Sequence, residues 1–222
     1  MLIEIKNIEK KYGSGDAEVH ALRGVSCEID SQDFVAVCGP SGSGKTTFLT
    51  TLAGMNRPTG GEAVVDEISI YKDLNSEGLA QFRNEYIGFV FQSFHLIPYL
   101  SAIENVMLPL APQNVAAAEK KDMAMHALEQ VNIPEKARAR PGELSGGQSQ
   151  RAAIARAIVN DPPVILADEP TGNLDTDTRD DILKLLETIR QNGRTIIIVT
   201  HDPENIQMAE RTLSIRDGLM TH

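Results

Sequence analysis

The stretch DFVAVCGPSGSGKTTFLTTLA, residues 33–53, decides how the rest of the chain is read. It opens with a short apolar run of strand character and closes with a helical segment from Lys45 to Ala53. Between them, Gly39-Pro40-Ser41-Gly42-Ser43-Gly44-Lys45-Thr46 fits G-x-x-x-x-G-K-[ST], in the strand–loop–helix context that this motif requires. Glycines let the backbone curl so that successive N–H groups point inward at phosphate oxygens, and the following helix adds the positive end of its dipole. Lys45 then supplies a point charge to the β and γ phosphates and Thr46 a hydroxyl ligand for Mg²⁺, with Thr47 continuing the cradle. By itself the loop specifies a nucleotide binder, leaving small kinases, GTPases, helicases and transport ATPases open.

Working outward, short Val/Ile-rich runs alternate with longer stretches of helical period, the pattern of an α/β fold with a largely parallel central sheet. LIEIKNI, VSCEI and DFVAVC read as strands, and GEAVVDEISI as a further strand or hairpin. Near the C-terminus, VILADE and TIIIVT are continuous apolar strands flanking a helix from Thr178 to Arg190, with Ile182, Leu185, Leu186 and Ile189 on one face. Between these halves, residues 94–140 turn helical, with Ser101 and Glu104 spaced as a capping box and an Ala-rich stretch from Val115 to Val131. Four prolines punctuate this block (Pro98, Pro109, Pro112 and Pro134) and Pro141 closes it, so it is expected to hold several short helices. The expectation is a single domain over residues 1–222, with residues 1–93 and 141–222 as core and 94–140 as helical subdomain.

Composition narrows the function classes. The chain has 222 residues, of which 41% are hydrophobic and 23% charged, ordinary values for a globular protein. No run approaches the roughly 18 apolar residues needed to span a bilayer. The net charge of -10 disfavours nonspecific affinity for nucleic acid or an anionic lipid surface. Cys27 and Cys38 sit in apolar segments with no second thiol or histidine at metal spacing, which points to buried small hydrophobes rather than a disulfide or ligand set.

A second motif chooses among nucleotide binders. Leu144-Ser145-Gly146-Gly147-Gln148, followed by Ser149-Gln150-Arg151 and AAIARAIV, resembles the signature of ATP-binding-cassette (ABC) proteins. Read from the residues, Ser145 with the Gly146 and Gly147 amides at a helix start is either a plain cap or a second anion cradle. One chain would then carry two phosphate devices for one triphosphate. The resemblance implies how that is resolved: two copies pair head to tail, and Ser145, Gly146, Gly147 and Gln148 of one close on the γ-phosphate held by the other.

The same resemblance assigns the remaining residues. It implies a P-loop ABC-type fold with a mostly parallel central sheet, an N-terminal antiparallel β region and an inserted helical subdomain. Asp168, ending VILADE, would hold Mg²⁺, and Glu169 beside it would be the general base for the attacking water. Gln92, in GFVFQSF, matches the glutamine that contacts Mg²⁺ and begins the segment facing a transmembrane permease, so docking is expected near Gln92 and the helical subdomain. His201, after TIIIVT, matches the histidine that contacts the γ-phosphate and steadies Glu169. Asn173-Leu174-Asp175 resembles the segment that crosses the dimer interface, and Tyr12 the aromatic that stacks on adenine.

Within the family, GFVFQSFHLIPYLSAIENVMLPL and LADEPTGNLD look like the branch of macrolide-exporter (MacB), lipoprotein-releasing (LolD) and cell-division ATPases. Ser149, Gln32-Asp33 and Glu67 depart from the branch pattern, the last two where a glycine is usual. The expected protein is an ATPase subunit at the cytoplasmic face of the inner membrane, using ATP and Mg²⁺, paired with a second copy of itself and with permease subunits, and not with nucleic acid. Transmembrane signalling without transport remains an alternative, as does a soluble ABC ATPase acting on nucleic acid or ribosomes. The latter usually carries a long coiled-coil insertion or two cassettes in one chain, neither of which this sequence shows.

Overall fold

Strands buried on both faces need apolar side chains at every position, and the chain's most apolar runs pair with one another accordingly. In the computed structural model, which describes residues 1–221 apart from the side chains of Asp16 and Glu204, the elements follow in this order. β1 (Ile3–Tyr12), β2 (Val19–Ile29) and β3 (Phe34–Cys38) precede α1 (Lys45–Leu52). The β4 (Gly60–Val65) and β5 (Ile68–Ser69) hairpin leads to α2 (Ser76–Tyr86) and β6 (Ile87–Val90). Then come α3 (Ala102–Met107), α4 (Ala117–Gln130) and α5 (Gly146–Ile158), followed by β7 (Val164–Asp168), α6 (Thr176–Gln191) and β8 (Thr195–Val199). The chain finishes with α7 (Pro203–Met208), β9 (Arg211–Arg216) and β10 (Leu219–Thr221).

Two sheets result. The first has the order β2-β1-β4-β5 and is antiparallel, and the second has the order β10-β9-β3-β8-β7-β6. In the second, β9, β3, β8, β7 and β6 run parallel and β10 is an antiparallel edge. Alternation along the central strands divides the core. Phe34, Ala36, Ile165, Ala167, Ile196 and Ile198 face α3 to α6, and Val35, Val37, Val164, Leu166, Ile197 and Val199 face the antiparallel sheet with α1 and α2. The α/β class, the antiparallel N-terminal region and the helical insertion are as the sequence led us to expect.

Boundaries follow hydrogen-bonding chemistry. The Ser101–Glu104 capping box forms, with the Ser101 N–H and hydroxyl both donating to Glu104 Oε2 at 2.7 and 2.6 Å. The Ala-rich stretch is α4, and residues 94–140 do hold several short helices. The helical cluster does not close at residue 140, however: α5 packs on both α3 and α4 as well as on β6. Its alanines, buried on several sides, satisfy two layers at once. Cys27 is buried and its thiol is pushed up to about 12 by that burial, whereas Cys38 is half-buried because β3 opens there into the loop. Among the described residues no helix is long and apolar enough to cross a membrane.

The two departures from the usual glycines lie where glycine would be easiest. Gln32 has φ 67°, and the β4–β5 turn places Asp66 and Glu67 at φ 49° and 66°, two consecutive left-handed residues in a two-residue hairpin loop. A side chain in that region costs roughly 1–2 kcal/mol, offset by the greater unfolded freedom of glycine. Glu67→Gly is therefore expected to stabilise the fold by about 0.5–1 kcal/mol, raising the melting temperature by roughly 1–4 °C. Thermal unfolding followed by circular dichroism checks this, and a lower melting temperature would refute it.

Candidate functional site

Cys38, Val90, Asp168 and Val199 are the C-terminal residues of β3, β6, β7 and β8, so the loops that follow them emerge at one edge of the sheet. In open parallel sheets this edge is where ligands bind. After Cys38, Gly39 adopts φ 150° against the neighbouring strand, and a Cβ there would lie 2.0 Å from the Ile215 carbonyl oxygen. The loop then curls, with Ser43 N–H donating to Pro40 O, and α1 starts at Lys45 with Gly44 as its cap. Lys45 Nζ donates to the carbonyls of Gly39 and Pro40, both at 2.9 Å, which stations the ammonium in the mouth of the loop. Ser43 is buried, and its Oγ has no partner among the described residues. An orphaned buried hydroxyl within this curled glycine loop fits a phosphate-binding cradle.

Residues 42–47 line a cleft of about 600 Å³, a size suited to a nucleotide. Its other wall, which the motifs did not announce, comes from Val19, His20, Ala21, Arg23, Asp217 and Gly218. The β9–β10 turn braces the loop, since Gly218 N–H donates to Ser43 O at 3.0 Å. Tyr12 is not part of the cleft wall. It sits at the end of β1 opposite Val19, half-exposed, its hydroxyl accepting a hydrogen bond from Asn56 Nδ2 and its ring 5.1 Å from Lys10 Nζ.

Beside the cradle, Thr46 Oγ1 donates to Asp168 Oδ1 at 3.2 Å across 122 residues of sequence. Burial, aided by the charge of Glu169, raises the Asp168 carboxyl above its ordinary value, against the opposing effects of Thr46 and Lys45. A cation would relieve that penalty. Mg²⁺ is usually held by one or two carboxylates plus substrate phosphates rather than by an all-protein cage. The Thr46 hydroxyl and the Asp168 carboxylate, side by side at the cradle, fit the former kind of site.

Glu169 follows at φ 49°, its N–H donating to Val199 O at 2.9 Å, so this carboxylate residue is held in left-handed backbone at a strand end. Residues in such conformations persist where the surroundings over-determine them, often at active sites. Its Oε1 lies 2.7 Å from Nδ1 of His201, whose side chain is 73% exposed while that of Glu169 is only 15% exposed. Gln92, two residues past β6, lies against the segment after Glu169: its carbonyl accepts from Asn173 Nδ2, and a Cβ at Gly172 would touch its Nε2. Beyond Gln92, Phe94 and His95 are both left-handed, and Arg156 of α5 clamps them by donating to their carbonyls at 2.7 and 2.6 Å.

The LSGGQ residues line none of that cleft. Ser145 caps α5 in a capping box with Gln148, and Asp175 caps α6 by accepting from Thr178 N–H and Oγ1, contacts that hold its carboxyl below the usual range. The two caps adjoin: a Cβ at Gly147 would come within 2.5 Å of Thr178 Cγ2, so glycine is required there by packing. Gly146, exposed in the first turn, places no side chain over this helix start.

Comparison with known proteins decides what this arrangement belongs to. The ABC transporter family model matches residues 22–172. The chain belongs to the ABC transporter family. It is similar to the ABC transporter ATP-binding protein YvrO of Bacillus subtilis, 46% identical over 98% of this chain and 94% of that protein. It is as similar, at 46% over 98% of this chain, to the macrolide export ATP-binding/permease protein MacB of Hyphomonas neptunium, of which it matches only 34%. The solved dimer of the cassette MJ0796, in a post-hydrolysis state bound to ADP and Pi, superposes with a TM-score of 0.91 at 40% identity, covering 100% of this chain and 97% of that one. The chain is thus an ATP-binding, ATP-hydrolysing subunit of the family, in its MacB/LolD-like branch.

Sequence patterns located the groups of this ABC subunit at strand ends and helix starts, but missed those that act from a distance. Arg156 lies in an alanine-rich helix with no local signal, and the β2 and β9–β10 cleft walls reach the site through tertiary packing. The Asp168 environment yields a prediction. Its folded carboxyl is raised, so above the unfolded value the ionised form costs stability, and below it the cost disappears. Asp168→Asn is therefore expected to make the nucleotide-free protein more stable at pH 7, with the gain shrinking as pH falls through about 4, while the stabilisation by ATP with Mg²⁺ is lost. Melting temperatures across pH, with and without MgATP, test both halves; a less stable nucleotide-free variant at pH 7 would refute the first.

Proposed function

We propose that this chain hydrolyses MgATP in a head-to-tail pair with a second copy and thereby drives a MacB/LolD-type permease from the cytoplasmic face of the inner membrane. The observation that carries the catalytic part is the 2.7 Å contact between Glu169 and His201 beside the Thr46–Asp168 pair. Residues 39–47 bind the triphosphate through backbone amides and Lys45. Thr46, Asp168 and Gln92 would hold Mg²⁺, which supplies charge neutralisation at the β and γ phosphates. Glu169, low in exposure and oriented by His201, accepts the proton of the attacking water, and the exposed face of His201 meets the γ-phosphate.

Several features support the pairing. Ser145, Gly146, Gly147 and Gln148 form an anion-binding helix start that lines no part of the chain's own cleft, and Asp175 lies beside it. The MJ0796 cassette, of the same fold, is a dimer with ADP and Pi. Tyr12 would reach adenine from the rim next to Val19 rather than from the cleft wall. For permease docking, a cleft of about 280 Å³ lies behind the Gln92 loop, lined by Met55, Arg83, Phe89, Pro109 and Asn160 together with the clamp residue Arg156. Half-exposed Met55 and exposed Tyr99 and Leu108 offer apolar contacts around it.

Glu169→Gln is expected to lower turnover by about 10²- to 10⁴-fold, the usual share of a general base, or roughly 3–5 kcal/mol of barrier. Steady-state phosphate release measures this, and near-normal turnover would remove Glu169 from the role. Because the site needs two chains, specific ATPase activity should rise with protein concentration and then saturate. Concentration-independent activity from a monomer proven by light scattering would sink the paired-site reading.

A further inference from the structure

The last backbone bond between the β7 and β8 chains is Glu169 N–H to Val199 O, so the turn after Glu169 and the Thr200–His201 segment lie beyond the ladder and need another tie to fix their spacing. Asn205, 1% exposed on α7, bridges those loops. Its Nδ2 donates to Thr171 Oγ1 at 2.9 Å, two residues after Glu169, and to Thr200 Oγ1 at 2.9 Å, one residue before His201. Both threonines are buried, at 4% and 0% exposure. Thr200 is itself anchored, its N–H donating to Val37 O of the strand that leads into the phosphate loop and its Oγ1 accepting from Asp202 N–H. From the other side Arg179 of α6 pairs with Asp202 at 2.9 Å.

The amide serves folding only in part: its Nδ2 satisfies two buried hydroxyls, but its oxygen is left over. Asn205 Oδ1 is buried without a partner among the described residues, a cost that an apolar side chain of the same shape would avoid. What the amide does is hold together two loops whose reactive groups must meet within hydrogen-bond distance, one of them carried on left-handed backbone. Misplacement of such groups by about 1 Å costs on the order of 10²-fold in rate.

We propose that Asn205 is a positioning residue for ATP hydrolysis: by tying Thr171 to Thr200 it sets the contact between Glu169 and His201. This rests on the roles assigned above to that pair. It acts through His201, so its effect depends on His201 being present.

The test is a double-mutant cycle. Asn205→Leu, which keeps the size and branching of the side chain, is expected to lower kcat about tenfold with KM for ATP and affinity for a fluorescent ATP analogue within about twofold of wild type. Added to His201→Ala, the same substitution is expected to cause no further loss. An unchanged kcat, or an equal loss in both backgrounds as a general structural defect would produce, overturns the proposal. Should Asn205→Leu fail to fold, Thr171→Val, which keeps the bond to Thr200, serves instead. It is expected to show the same dependence on His201 with a loss of about threefold, and a normal kcat overturns the proposal. The underlying roles are separated by Glu169→Gln and His201→Ala. Normal turnover in these removes the pair and the proposal with it, whereas their loss of turnover beside an unaffected Asn205→Leu removes the positioning role alone.

Discussion

Parallel hydrogen bonding among β3, β6, β7 and β8 is the constraint from which the site follows. Because these strands share one direction, their C-terminal ends open on a single edge, and the loop after each can contribute one reactive group: the phosphate loop after Cys38, Gln92 after β6, Glu169 after Asp168 and His201 after Val199. An antiparallel arrangement would have sent alternate loops to the opposite edge. The apolar runs that make these strands so legible are the consequence of burying both sheet faces, against the helical layer on one side and the antiparallel sheet on the other.

At that edge the chain accumulates groups that are costly to fold. Ser43 has a buried hydroxyl without a partner, Asp168 a carboxyl raised by burial, Glu169 a left-handed backbone, and Phe94 and His95 two more in succession. None of these helps stability, and all but the Ser43 hydroxyl are held by a neighbour: Asp168 by Thr46, Glu169 by the Val199 carbonyl, the Phe94–His95 turn by Arg156. Left-handed residues also occur elsewhere, at Asn7 of β1 and in the turns at Gln32, Asp66 and Glu67, but at this edge such backbone coincides with a buried hydroxyl and a raised carboxyl, as expected when a scaffold supports a preorganised site.

The helical layer links two parts of that chemistry through one rigid element. α5 begins at the LSGGQ cap and ends near Arg156, which grips the loop after Gln92, so the surface proposed to face a second nucleotide and the loop proposed to face the permease are fastened to the same helix. Asn105 completes the connection. Buried at the centre of α3, it accepts from Ile97 N–H and donates to the carbonyls of Ile97, Leu100 and Ser101, leaving the following segment no freedom to drift.

The sequence by itself determined the elements and singled out the candidate reacting groups. A glycine loop between strand and helix, a capping box at Ser101 and Glu104, a carboxylate pair ending an apolar run and a histidine after another all advertise themselves within a few residues, because backbone curvature, capping and strand burial are local chemistry. Tertiary structure alone decided which groups share a wall. It took Tyr12 out of the cleft and put Val19, Arg23 and Asp217 into it, attached α5 to the helices before residue 140, and brought Asn205 against Thr171. Periodicity reports that a side chain is buried, not what it is buried against. A lone Arg156 or Asn205 gains its meaning from partners 62 or 34 residues away, whose approach is set by how sheets and helices stack.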